Sequence, residues 1–212
     1  AQMDYLQQNN FNVVPLLELT EKLRKGEPLP DKTVAITFDD SYVSVYESAF
    51  PRLKKRGWPF TFFVNTDSVG TSKLFVSWDQ LREMAKHGVT IANHTTQHKH
   101  LPRRKKDESV VQWRVRIATE INQAQAKIEQ EIGTAPMIMA YPFGEYDTDV
   151  QQLVKKLGYI AFGQQSGALY EHGDLQSVPR FPFGGSFTEL DDFIMKVNTK
   201  SMPLKGVTFY SD

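Results

Sequence analysis

The chain of 212 residues contains no cysteine. This absence excludes disulfide bonds, zinc–thiolate sites, iron–sulfur clusters and cysteine nucleophiles. Any metal ion must therefore be held by histidine, aspartate and glutamate side chains. Histidine is also scarce, with five in the chain, so the position of each one is informative.

Net charge and long apolar runs are lacking as well. Lys+Arg and Asp+Glu each number 25, so we do not expect binding to nucleic acid through a general basic field. No apolar run approaches the roughly 20 residues of a membrane helix, and the first residues show no targeting segment. Hydrophobic residues make up 40% of the chain, which is enough for a core, and we interpret residues 1–212 as a single domain.

Short β-type runs alternate with amphipathic helical stretches. The predicted strands lie at 33–38, 60–64, 89–92, 137–140 and 159–162, with weaker ones at 177–181 and 207–210. The predicted helices lie at 16–25, 42–56, 78–87, 107–131, 150–157 and near 190–197. This α/β alternation implies a mainly parallel sheet, as a barrel or an open doubly wound sheet. In either case the chemistry belongs at the carboxyl ends of the strands.

Two acidic residues follow the first of these strands. Asp39 and Asp40 are adjacent carboxylates, which repel each other and should point in different directions. A polar loop that caps the following helix would also explain such a pair.

Three of the five histidines, His94, His98 and His100, lie within seven residues after the strand at 89–92. On a helical turn, His94 and His98 would share one face and reach one metal ion, whereas the alternative is a His-rich surface turn. One aspartate and these two histidines form a three-ligand site suited to catalytic Zn²⁺, Co²⁺, Ni²⁺ or Fe²⁺. The second aspartate could then act as general base. We interpret His100 as a residue behind the ligands or an exposed one.

A third strand end carries an aromatic turn from Tyr141 to Tyr146. Aromatic residues around a Pro–Gly turn form a rigid wall on which sugar rings pack, and the N–H groups of such a turn can hold an oxyanion. The alternative is an ordinary aromatic loop over the core.

Together, three motifs resemble the polysaccharide deacetylases (carbohydrate esterase family 4, the NodB homology domain). They are Thr37-Phe38-Asp39-Asp40, His94-Thr95-Thr96-Gln97-His98 and Tyr141-Pro142-Phe143-Gly144. Their order and rough spacing agree with the family, and the resemblance covers roughly residues 34–162. It implies a distorted, incomplete (β/α) barrel and a metal-dependent hydrolase that removes acetyl groups from a polysaccharide.

The resemblance also implies a role for each motif residue. Asp39 would be the general base that activates metal-bound water, and Phe143 would donate its N–H to the oxyanion. The implied metal ligands, with zinc as the expected ion, are Asp40, His94 and His98. The implied substrate contacts are Tyr141, Pro142, Phe143, Gly144 and Tyr146.

Two departures from the family pattern narrow the resemblance. Ala140 stands where the family has an arginine that orients the base, and the segment 207–210 lacks the late histidine that serves as general acid. Both departures resemble the branch that acts on poly-β-1,6-N-acetylglucosamine in biofilm matrix, whose barrel is permuted. That branch implies an extracytoplasmic or secreted protein, and we expect the chain to be a fragment lacking an N-terminal strand with the acid histidine.

Two later residues are candidates to fill these gaps. We hypothesise that Arg180 replaces the missing arginine and holds Asp39, against the alternative of a surface arginine. His172 is the acid by default, although a histidine in a Gly-flanked loop is typically solvated.

Three other functions remain as alternatives. A peptidoglycan- or chitin-type deacetylase would use the same residues, and a catalytically impaired glycan-binding module would explain the missing arginine and acid. A non-haem Fe(II) oxygenase shares the ligand types, but its ligands typically lie on one strand of a jelly roll, whereas Asp40 and His94 follow different strands.

Overall fold

The structure, a computed structural model, describes residues 1–170, 172–183 and 189–199. The strands are β1 (Asn12–Val13), β2 (Thr33–Val34), β3 (Thr37–Phe38), β4 (Thr61–Val64), β5 (Thr90–Asn93), β6 (Ile138–Ala140) and β7 (Ile160–Phe162). The helices are α1 (Gln2–Gln8), α2 (Leu16–Lys25), α3 (Phe50–Lys55), α4 (Trp78–Lys86), α5 (Val110–Ile132), α6 (Thr148–Lys156) and α7 (Leu190–Val197). The expected strand at 207–210 lies outside the described residues.

The central sheet is parallel and its strands pair in chain order, from β3 to β7. A doubly wound sheet reverses its order partway, whereas a barrel adds each strand beside the last. The order therefore resolves the alternative that periodicity left open, in favour of an incomplete (β/α) barrel.

The strand predicted at 33–38 is divided in two because its halves have different partners. β2 pairs with β1, whereas β3 pairs with β4. Between them, the carbonyl of Ile36 accepts a hydrogen bond from the Thr61 N–H.

The opposite edge of the sheet is extended by the weakly predicted segment 177–181. Val178 forms an isolated parallel bridge with Phe162, and its carbonyl accepts from the Gly163 N–H. On a flat sheet this segment would lie five strand spacings, or about 24 Å, from β3. Arg180 nevertheless contacts Asp39 directly, so the sheet is curled into a half-barrel.

The longest helix packs on the sheet through the apolar stripe that its spacing predicts. Ile117, Ile121, Ala124 and Ile128 of α5 are fully buried. Ser109 caps the helix by accepting from the Gln112 N–H. The predicted helix at 42–56 is less regular, since a π-helical stretch at Val45–Ala49 precedes α3.

Two predicted helix boundaries are confirmed by their capping contacts. Asp147 caps α6 by accepting from the Val150 N–H at 2.8 Å, and Gly26 ends α2 in the left-handed conformation at φ 65°. Among the described residues, no helix is long and apolar enough to cross a membrane.

We expect Ile121→Ala to lower the free energy of unfolding by about 2–5 kcal/mol, because it leaves a cavity between α5 and the sheet. Val115→Ala on the same helix is the control, since Val115 is 61% exposed and its truncation should change stability by at most about 0.5 kcal/mol. Urea unfolding measures both. Equal losses in the two variants would contradict this view of the core.

Candidate active site

The chemistry-bearing residues follow the carboxyl ends of parallel strands, as the sequence predicts. Asp39 and Asp40 follow β3, His94 follows β5, and Phe143 lies in the 3-10 turn Pro142–Gly144 after β6. These strand ends meet at one mouth of the half-barrel because all the strands are parallel.

Asp40, His94 and His98 form a compact group that could hold a metal ion. Oδ1 of Asp40 lies 3.0 Å from Nε2 of His98 and 3.3 Å from Nε2 of His94, and one ligand atom from each residue lies within 4.8 Å of the others. The His94 and His98 rings beside Asp40 hold the pKa of its carboxyl well below its usual value. The carboxylate is therefore ionised and available to a cation.

The orientation of His94 is set by a backbone carbonyl. Its buried ring places Nδ1 2.9 Å from the carbonyl oxygen of Ala140. A carbonyl only accepts hydrogen bonds, so Nδ1 carries the proton and Nε2 is directed at Asp40. Such a fixed tautomer is typical of metal-binding histidines, and the donor set of two imidazole nitrogens and one carboxylate fits a divalent metal ion.

The two histidines meet in a loop, so the expectation of a helical turn is wrong. Thr95 and His98 have positive φ angles of 66° and 53°, which a helix does not contain. The loop is held by Thr95, whose N–H donates to Asn93 Oδ1 at 2.8 Å and whose Oγ1 accepts from the His98 N–H at 3.2 Å. The rings of His94 and His98 still lie 4.8 Å apart.

A similar backbone conformation turns the two aspartates apart. Asp40 and Ser41 have φ angles of 75° and 61°, a conformation that costs about 1–3 kcal/mol per residue unless the surroundings impose it. Buried Ser41 donates to Asn65 Oδ1 at 2.8 Å and accepts from the Asn65 N–H at 2.9 Å. This clamp holds the turn, and neither aspartate caps the following helix.

Asp39 forms a two-pronged ion pair with Arg180. The guanidinium donates to Asp39 Oδ1 at 2.8 Å and to Oδ2 at 2.7 Å, and both side chains are about 85% buried. Arg180 also donates to the Gly163 carbonyl and to Thr37 Oγ1, and it lies over the Phe63 ring. The hypothesised contact between Arg180 and Asp39 is therefore present, and Arg180 is not a surface residue.

The pKa of Asp39 reflects two opposing effects. Burial alone would raise it, but the charge of Arg180 and its hydrogen bonds outweigh burial and leave the pKa below its usual value. Asp39 is therefore ionised at neutral pH.

The aromatic turn presents fewer residues to solvent than expected. Phe143 is 46% exposed, with φ 59°. Tyr141 is fully buried and donates its hydroxyl to the Gln176 carbonyl, and Pro142 is buried as well. Tyr146 is half-buried and packs on Tyr141. A ligand would therefore meet the Phe143 ring, with Tyr141 and Tyr146 supporting the turn from within.

An open cleft of about 570 Å³ lies over this group. Its walls include Asp40, His98 and Phe143, together with Tyr42 and Phe75, whose rings are stacked 5.6 Å apart. Sequence reasoning did not identify Tyr42 or Phe75. The signal for Tyr42 was its place directly after Asp39-Asp40-Ser41, whereas nothing local marks Phe75.

His172 lies away from the cleft. Its ring is next to Gly26, at the end of α2 that leads toward the start of β2. The segment around Val178 runs parallel to β7. His172 precedes this segment and therefore lies toward the amino end of the sheet. The mouth that carries Asp39 is at the other end.

Comparisons with known proteins agree with this geometry. The family model described as polysaccharide deacetylase matches residues 26–162. The poly-β-1,6-N-acetyl-D-glucosamine N-deacetylase of Escherichia coli is 26% identical over 94% of the chain, which spans 35% of that protein's length.

Two solved structures share the fold. IcaB from Ammonifex degensii superposes with a TM-score of 0.78 at 26% identity, covering 92% of this chain and 84% of that one. The Streptococcus pyogenes deacetylase PplD, in complex with acetate, superposes with a TM-score of 0.80 at 22% identity, covering 93% and 84%. Both support the half-barrel assignment.

We expect Asp40→Asn to weaken Zn²⁺ or Co²⁺ binding by at least about 100-fold, because losing even an outer partner of a ligand costs about 10–100-fold. Isothermal titration calorimetry measures the affinity. Asp31→Asn is the matched control, since Asp31 is exposed before β2, at the amino end of the strands. Unchanged metal affinity in Asp40→Asn would contradict the assignment of this site.

Proposed function

The chain belongs to the polysaccharide deacetylase family, and from that membership we propose that it removes N-acetyl groups from poly-β-1,6-N-acetylglucosamine or a related N-acetylhexosamine polymer. We further propose that zinc is the metal ion and that the protein acts outside the cytoplasm, where such polymers lie. The poly-β-1,6-N-acetyl-D-glucosamine N-deacetylases of Escherichia coli and Staphylococcus aureus support this substrate, at 26% identity each.

The proposed chemistry rests on one observation. Two adjacent carboxylates have different surroundings. Asp40 faces His94 and His98, whereas Asp39 faces Arg180. Asp40 with the two histidines suits a cation, and Arg180 keeps the carboxylate of Asp39 ionised beside that group. A protein that only bound glycan would need no base beside the cation.

A divalent ion held by Asp40, His94 and His98 would lower the pKa of a water molecule toward about 7 and polarise the acetyl carbonyl. Asp39 accepts the proton of the attacking water on a carboxylate oxygen as the new C–O bond forms, and it returns this proton to the amine nitrogen as the C–N bond breaks. Both oxygens accept hydrogen bonds from Arg180, yet each retains a further lone pair for this proton.

Phe143 supplies the second stabilising group, as an oxyanion donor. Its N–H donates to no backbone carbonyl in the described part of the chain, and Phe143 lines the cleft together with Asp40 and His98. A donor of this kind, aimed at the developing negative charge, contributes about 10²–10³ in rate.

The decisive experiment measures acetate release from β-1,6-linked N-acetylglucosamine oligomers by protein loaded with Zn²⁺, Co²⁺ or Ni²⁺. We expect Asp39→Asn to lower kcat by at least about 100-fold, because a general base contributes about 10²–10⁴. Its metal affinity should remain, since Asp39 is not a ligand. Asp31→Asn should retain full activity.

The alternatives predict different results in the same assay. Oligomer binding without acetate release, with any metal and also in the full-length protein, would favour the glycan-binding module. Release from chitin or peptidoglycan fragments but not from β-1,6-linked oligomers would move the substrate to those polymers.

We expect Arg180→Gln to shift the acidic limb of the kcat/KM profile to higher pH. Arg180 lowers the pKa of Asp39 while burial raises it, so removal of the arginine leaves burial and the pKa rises above its usual value. Asp39 would then be protonated over a wider acidic range. Arg180→Lys keeps one charge and should shift the limb less, whereas an unmoved limb in Arg180→Gln would show that Arg180 does not tune the base.

We also expect Arg180→Gln to change how the free energy of unfolding depends on pH. In the wild type, the lowered pKa of Asp39 stabilises the fold above about pH 4, the unfolded value, and this contribution is lost as the pH falls through the folded pKa. In Arg180→Gln the ionised Asp39 destabilises the fold, because its charge is buried without a partner. Acidification toward pH 4 protonates Asp39 and should therefore raise the stability of this variant. Loss of one partner of a buried ion pair costs about 3–5 kcal/mol at neutral pH, which urea unfolding measures.

A further inference from the structure

Behind the aromatic turn, a second pair of side chains joins the two loops that carry the proposed catalytic groups. His100 belongs to the loop after β5, and Glu145 follows the turn after β6. His100 Nδ1 lies 2.6 Å from Glu145 Oε2. This contact is short for a hydrogen bond between a ring nitrogen and a carboxylate oxygen, so the two loops are firmly joined at this point.

The His100 ring also packs flat against Phe143. The two ring centroids lie 4.1 Å apart with an angle of 14° between the planes. Phe143 in turn contacts the His98 ring at 4.4 Å and 62°. Ring contacts therefore continue from His100, stacked on Phe143, to His98 in the metal-binding group, which Phe143 meets edge-on.

Phe143 needs such support because its backbone conformation is unfavourable. Its φ of 59° lies in the left-handed region that residues other than glycine rarely adopt. The next residue, Gly144, approaches Gln164 so closely that a Cβ there would lie 2.7 Å from the Gln164 Cβ. Gln164 thus supports the turn from one direction, and His100 packs on the exposed ring from another.

We propose that His100 and Glu145 are a positioning pair that holds Phe143, so that its N–H points into the cleft and its ring stays against His98. The inference rests on the proposed function for the role of that N–H. His100 then acts on the reaction through Phe143 and not as a metal ligand, which agrees with its place outside the Asp40, His94 and His98 group.

The kinetic consequence follows from what Phe143 does. A donor that stabilises the oxyanion acts in the transition state, so its displacement lowers kcat, whereas displacement of the Phe143 ring, which a ligand meets, raises KM. Displacement should cost less than removal of the donor, which is worth about 10²–10³. We therefore expect His100→Ala to lower kcat by about 10–100-fold, with a smaller rise in KM.

Two conservative variants separate the hydrogen bond from the ring contact. His100→Phe retains a ring that can stack on Phe143 but loses the contact with Glu145. Glu145→Gln retains an oxygen that accepts from His100. Each of these two variants should retain more of the wild-type kcat than His100→Ala does. Glu145 is 40% exposed, so Glu145→Gln should fold normally.

The control is a histidine with similar contacts far from the cleft. His87 ends α4, where its Nδ1 lies 2.9 Å from the Glu83 carbonyl and its ring packs on Phe50. His87→Ala should leave kcat and KM unchanged.

The test combines steady-state kinetics and metal calorimetry with hydrogen–deuterium exchange of residues 141–146, in protein with and without added Zn²⁺. Faster exchange of this turn in His100→Ala, with wild-type metal affinity and lower kcat, supports the proposal. Exchange at the wild-type rate, or a kcat equal to wild type, overturns it. A loss of metal affinity as large as in Asp40→Asn also overturns it, because His100 would then be a ligand.

The exchange measurement keeps this proposal separate from the proposed function. If the wild-type protein releases no acetate from any glycan, the deacetylase proposal fails. The exchange rate of the turn still decides whether His100 and Glu145 hold Phe143.

Discussion

The ion pair between Asp39 and Arg180 joins the two ends of a curled sheet. Asp39 follows β3, and Arg180 lies in the segment 177–181 beyond β7, 141 residues later in the chain. Burial of two charges is unfavourable unless their hydrogen bonds are satisfied. Here the guanidinium also donates to Thr37 and Gly163 and lies over Phe63. The pair therefore fixes both the closure of the half-barrel and the position of the proposed base.

The division of labour between Asp39 and Asp40 depends on one local feature, the turn at Asp40 and Ser41. In an extended strand, adjacent side chains point to opposite faces, but the positive φ at Asp40 redirects it toward the two histidines. Buried Ser41 makes two hydrogen bonds to Asn65 that hold this turn. The two adjacent carboxylates are thereby separated, so that Asp40 faces the histidines as a proposed metal ligand and Asp39 faces Arg180 as the proposed base.

Much of the fold was predictable because hydrophobic periodicity reports directly on burial. The stripe Ile117, Ile121, Ala124 and Ile128 is buried as expected, and α7 occupies the predicted range. The division of the strand at 33–38 was not predictable, because it arises from β2 and β3 pairing with different neighbours. Periodicity within one segment carries no information about its partners.

The site was predictable in composition but less so in geometry. The spacing of His94 and His98 correctly suggested that they meet, although the reason, a helical turn, was wrong, because positive φ angles at Thr95 and His98 bring the rings together. The contact of His100 with Glu145 joins two loops 45 residues apart. Such contacts depend on how the strands align their ends, which no local pattern encodes.

The structure brings Arg180 to Asp39, in place of the arginine that the resemblance implies at position 140. In the family that the motifs resemble, the arginine precedes the aromatic turn, where this chain has Ala140. Ala140 is fully buried, and its carbonyl accepts from His94, so the strand end still orients a proposed ligand without supplying the charge. Arg180 reaches the proposed base from the segment beyond β7, two positions farther around the sheet than β6. What the proposed base needs is a guanidinium in contact with both its oxygens, and a curled sheet offers more than one strand end from which to deliver it.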